Sequence, residues 1–243
     1  MGEGAESVWL SFFWCLCARG FADLLDALGE SDGEYYRRCA RELCRACEDC
    51  WNGSYWPRAY YGDGRQLGTV DAICQAFGAL CPGTDPSHGE TALSTAMELL
   101  YDREHRLLKL SAEPYDSERS PGYISSYGPG FRENGGQYTH GALFLSHALF
   151  RRGRSGDGWT LLQCAMGADR GEEFGLEPYL IPADVSANAD CPGRGGWSWY
   201  TGSAGWFYRV ALEDLLCCER RDGELSCEPP HLPEGMQEAR VEF

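Results

Sequence analysis

Arg132, Glu133, Asn134, Gln137, Tyr138 and His140 crowd the stretch RENGGQYTHGALF, at the threshold of an apolar run. Guanidinium, carboxylate, amides, phenol and imidazole together offer the donors and acceptors that a polyhydroxylated ligand engages. The same groups also suit the capping and hydrogen-bonding network of a loop that opens a helix. A second concentration is GRGGWSWYTGSAG, where Thr201, Gly202 and Ser203 follow two glycine-flanked turns and open a helical pattern. A helix start presents unpaired backbone N–H groups and the positive end of a dipole, and glycine there lets an anion approach, so phosphate fits. Ser or Thr at such a place also serves as a plain N-cap. The third, CWNGSYWPRAYYGDGRQLGT, sets aromatic rings beside Arg58 and Asp63, a composition that equally describes a glycine-rich loop covering helix ends.

Cysteine is the other chemistry-bearing residue present in excess. The 13 cysteines fall at irregular spacing, and their odd number, with no export signal ahead of them, points to reduced thiols and not a disulfide framework. Cys44, Cys47 and Cys50 form a C-x2-C-x2-C run of iron–sulfur type, with Cys39 just before it, but Ser54 stands where a fourth ligand would complete the spacing. The run lies in YYRRCARELCRACEDCW, a helical pattern in which thiols act as small core residues. No metal is expected.

Helices must position these groups. Apolar periodicity predicts them over residues 5–29, 33–50, 70–81, 89–103, 138–152, 157–169 and 203–218. Gly29 and Gly33, the segment PGTDPSHGE and the segment RRGRSGDG punctuate helix-hairpin connections. Between the helices run three long loops, 51–69, 104–137 and 170–202, of a length that usually carries function. Helix pairs alternating with long polar loops predict a mainly α fold, an α/α toroid too short to close; an irregular helical bundle satisfies the same periodicity. From Cys218 onward the composition changes, and the tail reads as the opening strands of a β-domain. The predicted division is therefore 1–218 and 219–243.

Bulk charge narrows the partners. A formal net charge of −16 excludes recognition of nucleic acid or an anionic membrane by a basic surface, so any phosphate is held locally. The run VWLSFFWCLCA follows two glutamates without a basic leader and is too short to span a bilayer, so it reads as a core helix and the protein as cytoplasmic. Aromatics make up 13% of the chain, with 8 Trp and 13 Tyr, more ring surface than a plain helical core requires and suited to a sugar cleft.

GEGAESVWL, RAYYGDGRQLGT, PGFRENGGQYTH and GRGGWSWYTGSAGW, taken in that order and spacing, resemble glycoside hydrolase family 94 over nearly the whole chain. The branch that looks nearest is the phosphorylase-like domain of cyclic β-1,2-glucan synthases; cellobiose phosphorylase is another member. The resemblance implies an (α/α)6 barrel of six-hairpin glycosidase type, here only its C-terminal part, followed by the start of a C-terminal β-domain. It implies inverting phosphorolysis of β-glucosidic linkages, with a β-linked gluco-oligosaccharide and inorganic phosphate as substrates and no other cofactor. His140, Thr201 and Gly202 match the family's phosphate-binding positions. Glu133, with Gln137, Tyr138 and Asp184, matches or adjoins its sugar-facing positions, whereas Asp63 matches a non-catalytic loop position.

An inverting glycosidase needs an acid and a base, but in a phosphorolysis the phosphate replaces the activated water, leaving an acid and an in-line phosphate site. The family carries its general acid in a G-D-W-N-D type motif just ahead of the segment that GEGAESVWL resembles. The resemblance thus places the acid outside the 243 residues, and the isolated chain is expected to turn over little. The alternative is an inactive carbohydrate-binding or scaffolding remnant. Asn52 and Pro57 depart from the family pattern, which leaves substrate choice unassigned. A broken toroid would expose apolar helix faces, so association with another copy or with an upstream catalytic segment is expected.

Overall fold

Helices carry the fold, and the local sequence explains where they begin. The computed structural model describes residues 3–116, 121–168, 170–199, 201–221 and 223–240. Helix α1 (Val8–Ala27) starts where the Ser7 hydroxyl accepts the Leu10 N–H, and α2 (Gly33–Glu48) returns after a turn through Gly29 at φ 75. Asp71 caps α3 (Ala72–Leu80) by accepting from the Cys74 N–H at 3.0 Å. Helix α4 (Pro86–Leu100) begins ahead of the expected residue 89, because Asp85 accepts from the Ser87 N–H at 2.8 Å and Pro86 sits in the first turn, where it needs no N–H partner.

Contacts divide the chain into two units. The first comprises Met1–Tyr101 and Ser111–Gly128, the second Asp102–Leu110 and Pro129–Phe243. In the first unit, strands β1 (Glu6–Ser7), β2 (Ala59–Tyr60) and β3 (Gln66–Leu67) form an antiparallel sheet in that order. Buried Trp56 meets Phe12 edge-on at 5.3 Å and lies over Gly78, where a Cβ would stand 2.5 Å from the indole. Gln75 clamps the Trp56 backbone, accepting from its N–H and donating to its carbonyl, both at 2.9 Å. Arg58 ion-pairs with buried Asp71. The third loop motif is therefore a cover over α3.

The apolar stretch of α1 does not stop at Ala18. Phe21, Leu24 and Leu25 continue it, and the 20-residue helix is long and apolar enough to cross a membrane by length and composition. Phe12, Cys15, Ala18 and Ala22 are buried, whereas Leu10, Phe13, Trp14, Phe21 and Leu24 are exposed. The expectation of a core helix thus holds for one face only.

Two-residue strands β4 (Tyr101–Asp102) and β5 (Leu107–Leu108) follow α4. The second unit pairs α5 (Thr139–Arg151) with α6 (Ser155–Ala165). A single turn, α7 (Gly171–Phe174), stands where only loop was expected. Helix α8 (Thr201–Arg209) packs on α5 and runs on as a π-helical turn at Val210–Leu215. Leu143, Phe150, Leu162, Ala165, Val210 and Leu215 form its core, with Trp206 and Phe207 against them. Asp214, whose side chain is fully buried, is balanced by His147 at 2.6 Å and Arg151 at 2.7 Å. Strands β9 (Cys218–Arg221) and β10 (Glu224–Cys227), which follow the three strands of the site, pair antiparallel as a hairpin. Helix hairpins α1/α2, α3/α4 and α5/α6, each closed by a short turn, are the repeating unit of an α/α toroid.

Candidate functional site

Three very short strands position the polar loop residues of the second unit. β6 (Gln137–Tyr138), β7 (Asp184–Val185) and β8 (Gly195–Gly196) pair antiparallel in that order. The register sets Tyr138, Asp184 and Gly196 in one row and Gln137, Val185 and Gly195 in the next. Because side chains alternate across a pleated strand, the two rows face opposite sides of the sheet.

That alternation separates two neighbours that the sequence reading grouped together. Gln137 was expected beside a sugar, but it is fully buried, accepts from the Leu108 N–H at 2.9 Å and donates to the Cys164 carbonyl at 3.2 Å. Its amide ties α6 and β5 to the sheet. Asp184 lies on the other face, and Gly196 leaves the space its carboxylate occupies, since a Cβ there would stand 3.0 Å from Oδ2. Asp184 is 5% exposed, and its Oδ1 has no hydrogen-bond partner. Burial raises its pKa from the ordinary 3.8 to about 6; Arg132 opposes the rise and Glu133 adds to it.

Arg132 and Glu133 project from a tight loop. The Asn134 N–H donates to the Phe131 carbonyl at 2.9 Å, that of Gly136 to Arg132 at 3.1 Å, and that of Ala187 to Gly130 at 2.8 Å. Arg132 Nε stands 3.4 Å from Glu133 Oε2, and the guanidinium lies 4.1 Å above the Trp197 ring. Arg132 and Trp197 both take positive φ, 49 and 52. A left-handed backbone is costly for such side chains, so the stacked pair is held by the surrounding turns. Trp199, at φ 68, is exposed and meets the exposed Tyr179 edge-on.

His140 stands in the first turn of α5, 5.3 Å from Tyr138 by ring centroids. Its ring lies against Gly202, in the first turn of α8: a Cβ on Gly202 would come 2.7 Å from His140 Nε2. Burial lowers the imidazole's pKa, and a hydrogen bond with the Gly202 backbone works against that. Burial thus favours the uncharged ring, which carries one donor and one acceptor nitrogen, one of them engaged by the Gly202 backbone. Thr201 opens α8, and its side chain lies outside the described residues. Two further hydroxyls belong to these turns: Ser203 Oγ and Thr139 Oγ1 are buried without a hydrogen-bond partner. The sequence marks Ser203 only as part of a helix start, and nothing in it singles out Thr139.

The structure thus gathers Glu133, Tyr138, His140, Asp184 and the Gly202 backbone in one unit, on loops and turns fastened to one small sheet. Asp63 belongs to the other unit, exposed and paired with Arg65 at 2.8 Å, which holds its carboxyl below the usual range and leaves it without a proton near neutrality. Among the described residues no group of three or more His, Cys, Asp or Glu side chains is arranged to hold a metal ion.

A sequence model of the glycosyl hydrolase 94 superfamily catalytic domain matches residues 1–217, a stretch that contains all of these site residues. The chain belongs to that superfamily. It is 34% identical to the cyclic β-(1,2)-glucan synthase NdvB of Rhizobium meliloti, over 94% of this chain and 9% of that protein. Identity to a cellobionic acid phosphorylase of Neurospora crassa is 26%, covering 99% of this chain and 32% of the relative. For a solabiose phosphorylase of Paenibacillus borealis the figures are 24%, 88% and 30%. The family 94 chain thus spans about a third or less of the length of these relatives. A GH63 mannosylglycerate hydrolase from Thermus thermophilus, solved with glucose, superposes with a TM-score of 0.57 at 14% identity, over 84% of this chain and 45% of that one. Likeness at that identity shows the fold alone, and it agrees with the helix hairpins: the class is mainly α, a partial (α/α)6 toroid.

Proposed function

We propose that this chain supplies the phosphate-binding and sugar-facing part of a family 94 phosphorylase site, which cleaves a β-glucosidic linkage by inverting phosphorolysis and releases a sugar 1-phosphate. The observation that carries this reading is the approach of His140 to Gly202, which sets the start of α5 against the start of α8. A neutral imidazole and the free N–H groups of a helix start are anion donors that need no basic patch, which suits a chain of net charge −16. Ser203, with its unpartnered hydroxyl, adds a donor at the same turn.

In this reading phosphate sits beside His140 at the start of α8 and attacks the anomeric carbon from the face opposite the leaving oxygen. Preorganised donors hold it in line and stabilise the charge that develops. Glu133, Tyr138 and Asp184 take sugar hydroxyls, and the Trp197 face offers an apolar wall. Gln137, spent on backbone groups, is left out of the ligand set. In this reading the proton for the leaving oxygen comes from a carboxyl that these 243 residues do not supply. Two relatives whose names state a phosphorylase activity support the reaction class, and the glucan synthase supports a β-linked glucoside.

The test is calorimetric titration of inorganic phosphate into the wild-type chain and into His140→Ala. The expected result is wild-type binding that falls at least about tenfold in the variant, as loss of one charge-assisted hydrogen bond requires. A wild-type chain indifferent to phosphate that still binds β-glucosides would replace this reading with that of a carbohydrate-binding remnant.

A further inference from the structure

Away from the candidate site, three thiols from three helical elements of the first unit converge. Cys15 on α1, Cys44 on α2 and Cys81 at the C-terminal cap of α3 are all buried, and the sulfurs of Cys44 and Cys81 are 3.3 Å apart. Cys15 also donates to the Ala40 carbonyl of α2 at 3.4 Å, which pins its sulfur over the same helix. Gly83 keeps the space open, since a Cβ there would stand 2.7 Å from Cys44 Sγ. The C-x2-C-x2-C run therefore does not act along its own helix: Cys44 faces across to Cys81, while Cys50 turns back to the Ala46 carbonyl.

The three sulfurs are not equivalent. Either sulfur of the Cys44–Cys81 contact can donate to the other, and the neighbouring Cys15 and Cys44 thiols lower the Cys81 pKa against the opposing effect of burial. The Gly83 backbone and the positive charge of Arg19 act in the same direction. The Cys15 and Cys44 thiols are pushed up by their contact with Cys81 and by burial. Cys81 is thus the easier of the pair to ionise, a thiolate is the form that reacts with peroxides, and the Cys44 sulfur lies 3.3 Å away to resolve the product.

We propose that Cys44 and Cys81 form an oxidation site at which a hydroperoxide converts the dithiol to a disulfide tying α2 to the end of α3. The Cys81 thiolate attacks one peroxide oxygen, the O–O bond breaks, and the departing oxide takes up a proton as water or alcohol, leaving a sulfenic acid on Cys81. Cys44 sulfur then attacks Cys81 sulfur, the S–O bond breaks, and hydroxide leaves as water with the Cys44 proton. Overall, the two thiols lose two protons and two electrons, and the peroxide takes both up as it is reduced to water, or to an alcohol and water. The sulfurs need to close by only about 1.3 Å to reach the usual bond length of about 2.04 Å. Cys15 is a positioning residue: anchored on the Ala40 carbonyl, its sulfur lies beside the pair and favours ionisation of Cys81. The bond would join the α1/α2 hairpin to the α3/α4 hairpin.

Peptide mapping of the full chain after graded hydrogen peroxide, with remaining thiols alkylated in denaturant, tests this. The second thiol pair, Cys218 opposite exposed Cys227 on β9 and β10, serves as an internal comparator. The expected result is a reducible cross-link between the Cys44 and Cys81 peptides, accompanied by a melting temperature that rises on oxidation and falls again with reductant. Cys44→Ser should abolish the link and leave a Cys81 sulfenic acid that dimedone traps. Cys15→Ser should slow link formation several-fold without preventing it. The wild-type map decides even where a variant fails to fold. Recovery of both Cys44 and Cys81 as alkylated thiols at peroxide doses that oxidise Cys17 or link Cys218 to Cys227 overturns the proposal, as does a link from Cys81 to Cys15.

Discussion

Asp184→Asn removes one ionisable group from a buried site and leaves its shape unchanged. Asp184 is 5% exposed, its Oδ1 has no partner, and its pKa is raised from 3.8 to about 6, chiefly by burial. A carboxyl whose pKa is higher in the folded chain makes its contribution to stability fully at pH below 3.8 and loses it as pH rises to about 6. At about 1.4 kcal/mol per pH unit, ionising it in the folded state costs on the order of 3 kcal/mol at neutral pH. The asparagine keeps one imperfectly paired polar atom, worth roughly 1–2 kcal/mol of that gain. Asp184→Asn should therefore be more stable than wild type by about 1–2 kcal/mol at pH 7.5, and equal or less stable at pH 4. Urea unfolding of both chains across this range gives a difference curve that isolates the group, and carbon-detected NMR of the Asp184 carboxyl reads its titration directly. A difference curve flat between pH 4 and 6, or a carboxyl titrating near 3.8, would refute the burial argument. If Asp184 also receives sugar hydroxyls, the stabilised variant should bind β-glucosides more weakly, the usual exchange of stability for function.

Three further perturbations test other contacts. Gly202→Ala places a methyl 2.7 Å from His140 Nε2, so it should displace the ring and weaken phosphate binding about tenfold or more, a loss of ~1.4 kcal/mol or greater in calorimetry. Trp197→Ala removes the ring under the Arg132 guanidinium; sugar affinity should fall by a factor corresponding to about 0.5–2 kcal/mol while the unfolding midpoint moves little. Asp71→Ala strips the α3 cap and leaves the Arg58 guanidinium, itself largely buried, without its partner, so denaturant unfolding should show a loss of about 3–5 kcal/mol.

Much of the architecture was legible because helices announce themselves. The 3.6-residue period and the caps at Ser7, Asp71 and Asp85 are local properties, and the helix pairs form close to where that period and the Gly and Pro punctuation put them. The sheets were not legible: strands of two residues, such as Gln137–Tyr138 and Asp184–Val185, are shorter than any period that could be detected. For the same reason the π-helical turn at Val210–Leu215 and the single turn at Gly171–Phe174 went unseen. The family resemblance carried by the ordered motifs was what collected Glu133, Tyr138, His140, Asp184 and the Thr201–Gly202 pair as one candidate set. They could not separate Gln137 from Tyr138, because a single step along a strand reverses the face and only the pairing partner says which face is the core.

What the sequence determined alone was whatever depends on neighbours along the chain: helix positions, family membership carried by ordered motifs, and an acidic net charge that argues against a broad basic phosphate-binding surface. Tertiary structure decided the properties that depend on neighbours in space. It set Gly202 against His140, buried Asp184 with an unpartnered oxygen, and brought Cys44 to Cys81 across 37 residues of chain. A residue's pKa and its hydrogen-bond partners are set by packing distances of a few ångströms, and those distances exist only once separate segments have folded together.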